Sequence, residues 1–135
     1  MNLVAFRPEY QITEEPARNR NFYKHYADLA GANELPDYLA DWRLALAASR
    51  PGFTILSDMT DLPTVSDDLA GLVGQAQQLV LSYGLLLMAT VHAPGSETYY
   101  ASHTVRDDSG MPMRTFTDLW KVDKFLDELV AETVI

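Results

Sequence analysis

The chain contains no cysteine, which removes disulfide frameworks, thiolate nucleophiles and cysteine-ligated zinc from consideration. Histidine is scarce as well: it occurs at positions 25, 92 and 103, and no two of these stand four residues apart, so a helical zinc motif is absent. Basic residues number 10 against 19 acidic ones and are scattered from Arg7 to Lys124. Without a patch that could follow a phosphate backbone, nucleic acid is not an expected partner, and the net charge of -9 reads as solubility. Nor is there a run of about twenty apolar residues, and "MNLVAFRPEY" has neither the charged start nor the apolar centre of a signal peptide. A soluble cytoplasmic protein with no membrane partner is expected.

What is present suffices for one domain. The chain has 135 residues, of which 47% are apolar, enough to bury one core and too few for two. Two segments open it, at 9–13 with Tyr10 and Ile12 alternating against polar neighbours, and at 20–28, rich in aromatics. The intervening "EEPARN" supplies the proline and asparagine of a turn, so the pair is expected to be a hairpin. From 34 to 49 the period changes: Leu35, Tyr38, Leu39, Trp42, Ala45 and Leu46 form one helical face, with Pro36 in the first turn.

"PGFTILSD" predicts a short strand. Leu69, Leu72, Val73, Ala76, Leu79, Val80 and Tyr83 then mark a second helix, with Gly84 at its C-terminal cap. Residues 85–91 are nearly all apolar, as in a strand covered on both faces. A weaker helix is expected over 96–108, a last strand at "MRTFT", and a C-terminal helix with Leu119, Val122, Phe125, Leu126 and Leu129 in its core and Thr117 or Asp118 as its cap. The resulting order is ββαβαβαβα. Right-handed crossovers make this an α/β fold: a mostly parallel sheet with helices layered on it and an antiparallel N-terminal edge strand.

That order, together with "RNFYKHYADL", "PGFTILSDMTDL", a long helix closing in "YG", and "DSGMPMRTFTDLWKVDKFLDELV", resembles the STAS-like, or SpoIIAA-like, proteins related to bacterial anti-sigma-factor antagonists. The resemblance implies a non-enzymatic regulatory or protein-interaction domain. In the regulatory members, the loop after the third strand reads Asp-Leu, three residues, then Asp-Ser-Ser or Asp-Ser-Thr followed by Gly-Leu, and the first serine is phosphorylated. Asp61 and Leu62 match that pattern. Ser66 then stands at the aspartate, Asp67 at the phosphorylated serine, Asp68 at the next position and Leu69 at the glycine. The resemblance therefore implies a degenerate or absent switch.

Ser66 before an amphipathic helix has the chemistry of an N-cap, and Asp67 and Asp68 suit the positive end of the helix dipole. Phosphate on Ser66 would be repelled by both carboxylates. Asp58, Asp61, Asp67 and Asp68 offer the oxygen donors that hard cations prefer, but their spacing fits no calcium loop and they are read as solvated loop acids, with no metal and no cofactor expected. Gly71 and Gly74 weaken a helix interior and are expected to leave a smooth face turned away from the Leu69, Leu72, Val73 stripe, suited to close approach by a partner. Trp120 points about 160° from Val122 on its helix, the position of an interface tryptophan. These features predict a protein partner or self-association as a homodimer. The alternative is a small-ligand domain or minor enzyme using Asp58, Thr60, Asp61 and His92 at the strand ends.

Overall fold

The computed structural model describes residues 1–26, 35–62, 67–99 and 111–133, the side chains of residues 67–69 excepted. Its elements are β1 (Asn2–Phe6), β2 (Tyr10–Glu15), β3 (Arg20–His25), α1 (Tyr38–Ala47), β4 (Thr54–Asp58), α2 (Asp67–Ser82), β5 (Leu87–Val91), β6 (Met113–Phe116) and α3 (Leu119–Thr133). They form one six-stranded sheet in the order β1-β2-β3-β4-β5-β6. The first two pairings are antiparallel and the remaining three parallel.

The mixed sheet with antiparallel N-terminal strands is the expected architecture, with one strand more. β1 forms the outer edge, and the first strand read from the sequence, β2, lies inside it. Three of the five residues of β1 are exposed and only Ala5 is buried, so the period-2 pattern that marks a half-buried strand is missing there. The hairpin between β2 and β3 turns at Asn19, which takes φ +52°, a conformation asparagine tolerates better than most residues.

Pleating divides the core between the two faces of the sheet. On one face, Tyr10, Ile12, Tyr23, Ile55 and Met88 pack against Trp42, Ala45 and Leu46 of α1 and Ala76 and Val80 of α2. On the other, Leu56, Ala89 and Val91 meet Val122 and Leu126 of α3, flanked by Phe22, Phe116 and Phe125. α3 packs over β4 and β5 and leaves the β1–β2 end of its face without a helix among the described elements.

Chain ends and turns follow local chemistry. Asp118 accepts a hydrogen bond from the Trp120 amide at 3.0 Å and is the cap of α3. Gly84 ends α2 at φ +91°, and its carbonyl accepts from the Gly52 amide at 2.7 Å. Pro36 lies in a turn just ahead of α1 and not within its first helical turn. Leu119, expected in the core of α3, is 43% exposed because it faces the uncovered end of the sheet. Of the helix expected over 96–108, the described residues show the opening at 97–99, where Ser96 Oγ accepts from the Tyr99 amide at 3.2 Å; the rest, His103 included, lies outside them.

Candidate functional site

The strand ends hold the acids expected there, on one face only. Asp58 closes β4 on the α3 side, where its Oδ1 accepts from the Thr60 amide at 3.1 Å and from Thr60 Oγ1 at 2.7 Å, folding the chain into a tight turn. Lys24 Nζ, from the neighbouring β3, reaches Asp58 Oδ2 at 3.1 Å and Asp61 Oδ2 at 3.2 Å. Burial alone would raise the Asp58 carboxyl. The Thr60 donors and the Lys24 charge outweigh it and hold the group below its ordinary range. Lys24 is itself stabilised as a cation by the two carboxylates against partial burial.

Among the described residues no three His, Asp or Glu side chains converge as a metal site would require. Asp67 and Asp68 open α2, as expected of acids at a helix start. Ser66, the residue of the expected cap and of the resemblance's switch position, lies outside the described residues.

His92 turns to the opposite face. It follows Val91, which packs under α3, so alternation directs its ring toward α1 and α2. Nδ1 lies 3.1 Å from Thr98 Oγ1, and the Thr98 hydroxyl donates to the Leu62 carbonyl at 2.8 Å. Because that hydroxyl proton is committed to Leu62, Thr98 accepts from His92, and Nδ1 carries the hydrogen. The sheet thus separates Asp58, Thr60 and Asp61 from His92, which the sequence had grouped as one site.

His92 borders a half-open pocket of about 300 Å³ between α2, α1 and the sheet. Tyr23, Tyr38 and Trp42 make one aromatic wall, with ring centroids 5.9 Å apart for Tyr23 and Tyr38 and 5.7 Å for Tyr23 and Trp42. Burial pushes both the Tyr23 and Tyr38 hydroxyls up, so they stay neutral; the Trp42 indole N–H favours the Tyr38 oxygen without reaching hydrogen-bond geometry. Ser57 and Thr90, register partners on β4 and β5, supply the polar part of the floor. Gly74 lies in the cavity wall and only Gly71 is exposed, so the two do not share an outward face as expected.

A second concavity, an open groove of about 600 Å³, runs between α3 and the β2–β3 part of the sheet. Gln11, Thr13, Phe22 and Lys24 form its floor, and Leu119 and Trp120 its rim. Trp120 is 90% exposed, in agreement with its angular position on α3. Cross-strand register places two more exposed apolar side chains on this face: Leu3 pairs with Thr13 and Phe6 with Gln11.

Two charged clusters escaped the reading of the sequence. Arg20 is buried on the α3 face, donating to Asp123 Oδ1 at 2.7 Å and Thr54 Oγ1 at 3.1 Å and pairing with Asp127 at 3.0 Å. Arg18 adds Glu15 at 2.6 Å and both of the same aspartates at 3.1 Å. On the other face Asp41, buried in α1, takes a two-pronged bond from Arg7, at 3.0 and 2.9 Å, and one from the Tyr10 hydroxyl at 2.5 Å. Spacing carried a faint signal for the first cluster, with acids at i and i+4 on one helix and arginines at i and i+2 around a hairpin.

A six-stranded mixed sheet with its antiparallel strands first and helices on both faces is the SpoIIAA-like fold. An uncharacterised protein of the DUF3478 family from Shewanella loihica PV-4, described as having that fold, is similar to this chain with a TM-score of 0.64 and 18% identity, over 90% of this chain and 97% of its own. At that identity the likeness concerns the fold alone. No family model matches the chain, and no curated protein does.

Proposed function

We propose that the chain is a non-enzymatic protein-interaction domain that docks a partner, a second copy of itself included, on the half of the sheet that α3 leaves open. The observation that carries this reading is Trp120, 90% exposed at the start of α3, beside Leu119 and on the same side as Leu3 and Phe6. Large apolar side chains gathered on one face are the composition of a protein contact, and tryptophan is enriched among residues that dominate such contacts. The charged rim of Lys124, Asp123 and Asp127 around the groove suits an interface with a polar edge. The rival reading, one ligand site built from Asp58, Thr60, Asp61 and His92, has less support, because Asp58 and His92 face opposite sides of the sheet.

Light scattering over a range of protein concentrations tests the self-association form, with Trp120→Ala beside the wild type. A dimeric mass that falls to a monomeric one in Trp120→Ala supports it. A wild type monomeric at high concentration removes self-association, and a dimer indifferent to Trp120→Ala removes this face.

A further inference from the structure

We infer that the half-open pocket beneath α2 is a binding site for a small neutral molecule, mostly apolar, that carries one hydroxyl or carbonyl group. This site is independent of the docking face, which lies across the sheet. At about 300 Å³ this half-open pocket reaches the lower end of the range of ligand sites. The cavity also sits where β4 and β5 end, the side of a parallel sheet on which α/β folds open their crevices.

Its lining selects the chemistry. Among the described residues no Asp, Glu, Lys or Arg side chain lines it, so a charged guest would lose its hydration with none of these carboxylates or cations to pair against. Tyr23, Tyr38 and Trp42 offer ring surfaces to an apolar or aromatic body. One polar group is asked for in particular: Thr90, only 6% exposed, lines the cavity with its Oγ1 buried and without a hydrogen-bond partner. Valine would fill the same strand position with the same shape and no unmet hydroxyl. A guest hydroxyl or carbonyl that meets Thr90 supplies what the fold does not. Gly74, in the same wall, has nothing within 4 Å of where a Cβ would stand, so a larger side chain there has room to enter the cavity.

Equilibrium dialysis of the full chain against 2-naphthol, naphthalene and naphthalene-2-sulfonate tests the assignment. 2-Naphthol is expected to bind saturably and to raise Tm, because a ligand selective for the folded state must do so. Naphthalene is expected to bind roughly three- to tenfold more weakly, the range one neutral hydrogen bond supports, and the sulfonate not detectably. Gly74→Leu should abolish 2-naphthol binding in a protein whose circular dichroism and Tm are at least those of the wild type. Thr90→Val should bring 2-naphthol down to the affinity of naphthalene. Failure of 2-naphthol to bind, binding that survives Gly74→Leu, or sulfonate binding as tight as that of the naphthol overturns the assignment. A preference for the naphthol that persists in Thr90→Val overturns the role given to that hydroxyl.

Discussion

Arg20 and Asp123, 103 residues apart in the chain, meet at 2.7 Å on the α3 face of the sheet. The arginine is 2% exposed and its partner half-exposed, so the charge with most to lose is the one deepest in the protein. Breaking a fully buried ion pair costs about 3–5 kcal/mol, and solvent at Asp123 moderates that. Arg20→Ala is therefore expected to destabilise by about 2–3 kcal/mol, and Asp123→Asn by about 1 kcal/mol because Asp127 still answers the guanidinium. Urea denaturation measures both, and equal costs would show that Asp127 does not share the load.

Asp41 sets an acid limit on stability. Burial would raise its carboxyl, but Arg7 and Tyr10 together hold it below its ordinary value of 3.8. A depressed folded-state value means that the stabilisation is complete above pH 3.8 and is lost as pH falls through the lower, folded value. Asp41→Asn should accordingly be less stable than the wild type at pH 6, with the gap closing on acidification below 3.8. Urea midpoints from pH 6 downward give the result, and a gap constant across that span would deny the coupling.

Three glycines divide by backbone geometry. Gly71 and Gly74 lie in the interior of α2 with open space where a Cβ would stand, so alanine at either should stabilise by about 1 kcal/mol. Gly84 has φ +91° and would bring a Cβ to 3.2 Å from Pro51 Cβ. Gly84→Ala should cost more than about 1 kcal/mol, since it adds a contact to a conformation L residues avoid. Thermal melts of the three variants show whether the signs divide this way.

Trp120 and Trp42 should behave as opposites. Trp120→Ala is expected to change monomer stability by less than about 0.5 kcal/mol, the usual range for a surface residue, whereas Trp42→Ala should cost about 3–5 kcal/mol. Acrylamide quenching separates the two indoles at low protein concentration: Trp120 fluorescence should be quenched readily and Trp42 fluorescence poorly. Equal quenching would contradict the exposure on which the docking face rests.

Most elements could be read from periodicity, because α1, α2, α3 and the inner strands each bury a regular stripe. β1 could not, since it gives the core only Ala5 and a half-buried Val4, too little to make a period, and is otherwise held by its partner strand. The cap of α3 was narrowed to two residues by chemistry, and geometry chose Asp118. His92 was recognisable as a strand-end residue, but Thr90 and Tyr23 looked like ordinary strand residues. Their shared cavity depends on parallel register across β3, β4 and β5, which links positions more than thirty residues apart and leaves no local trace. A still longer separation, 103 residues, hid Arg20 from Asp123. Periodicity along a single helix also misjudged Gly74, whose surroundings come from the sheet beneath it.

The strand order β1-β2-β3-β4-β5-β6 has a consequence for biosynthesis. Each strand hydrogen-bonds to the one made just before it, so a chain emerging from the ribosome can extend the sheet along one advancing edge and never has to insert a strand between two that are already paired. Loop-closure costs stay those of neighbouring segments. α3, synthesised after all six strands, then covers β4 and β5 and brings Asp123 and Asp127 to the arginines of the hairpin between β2 and β3, fastening a late element of the fold to an early one.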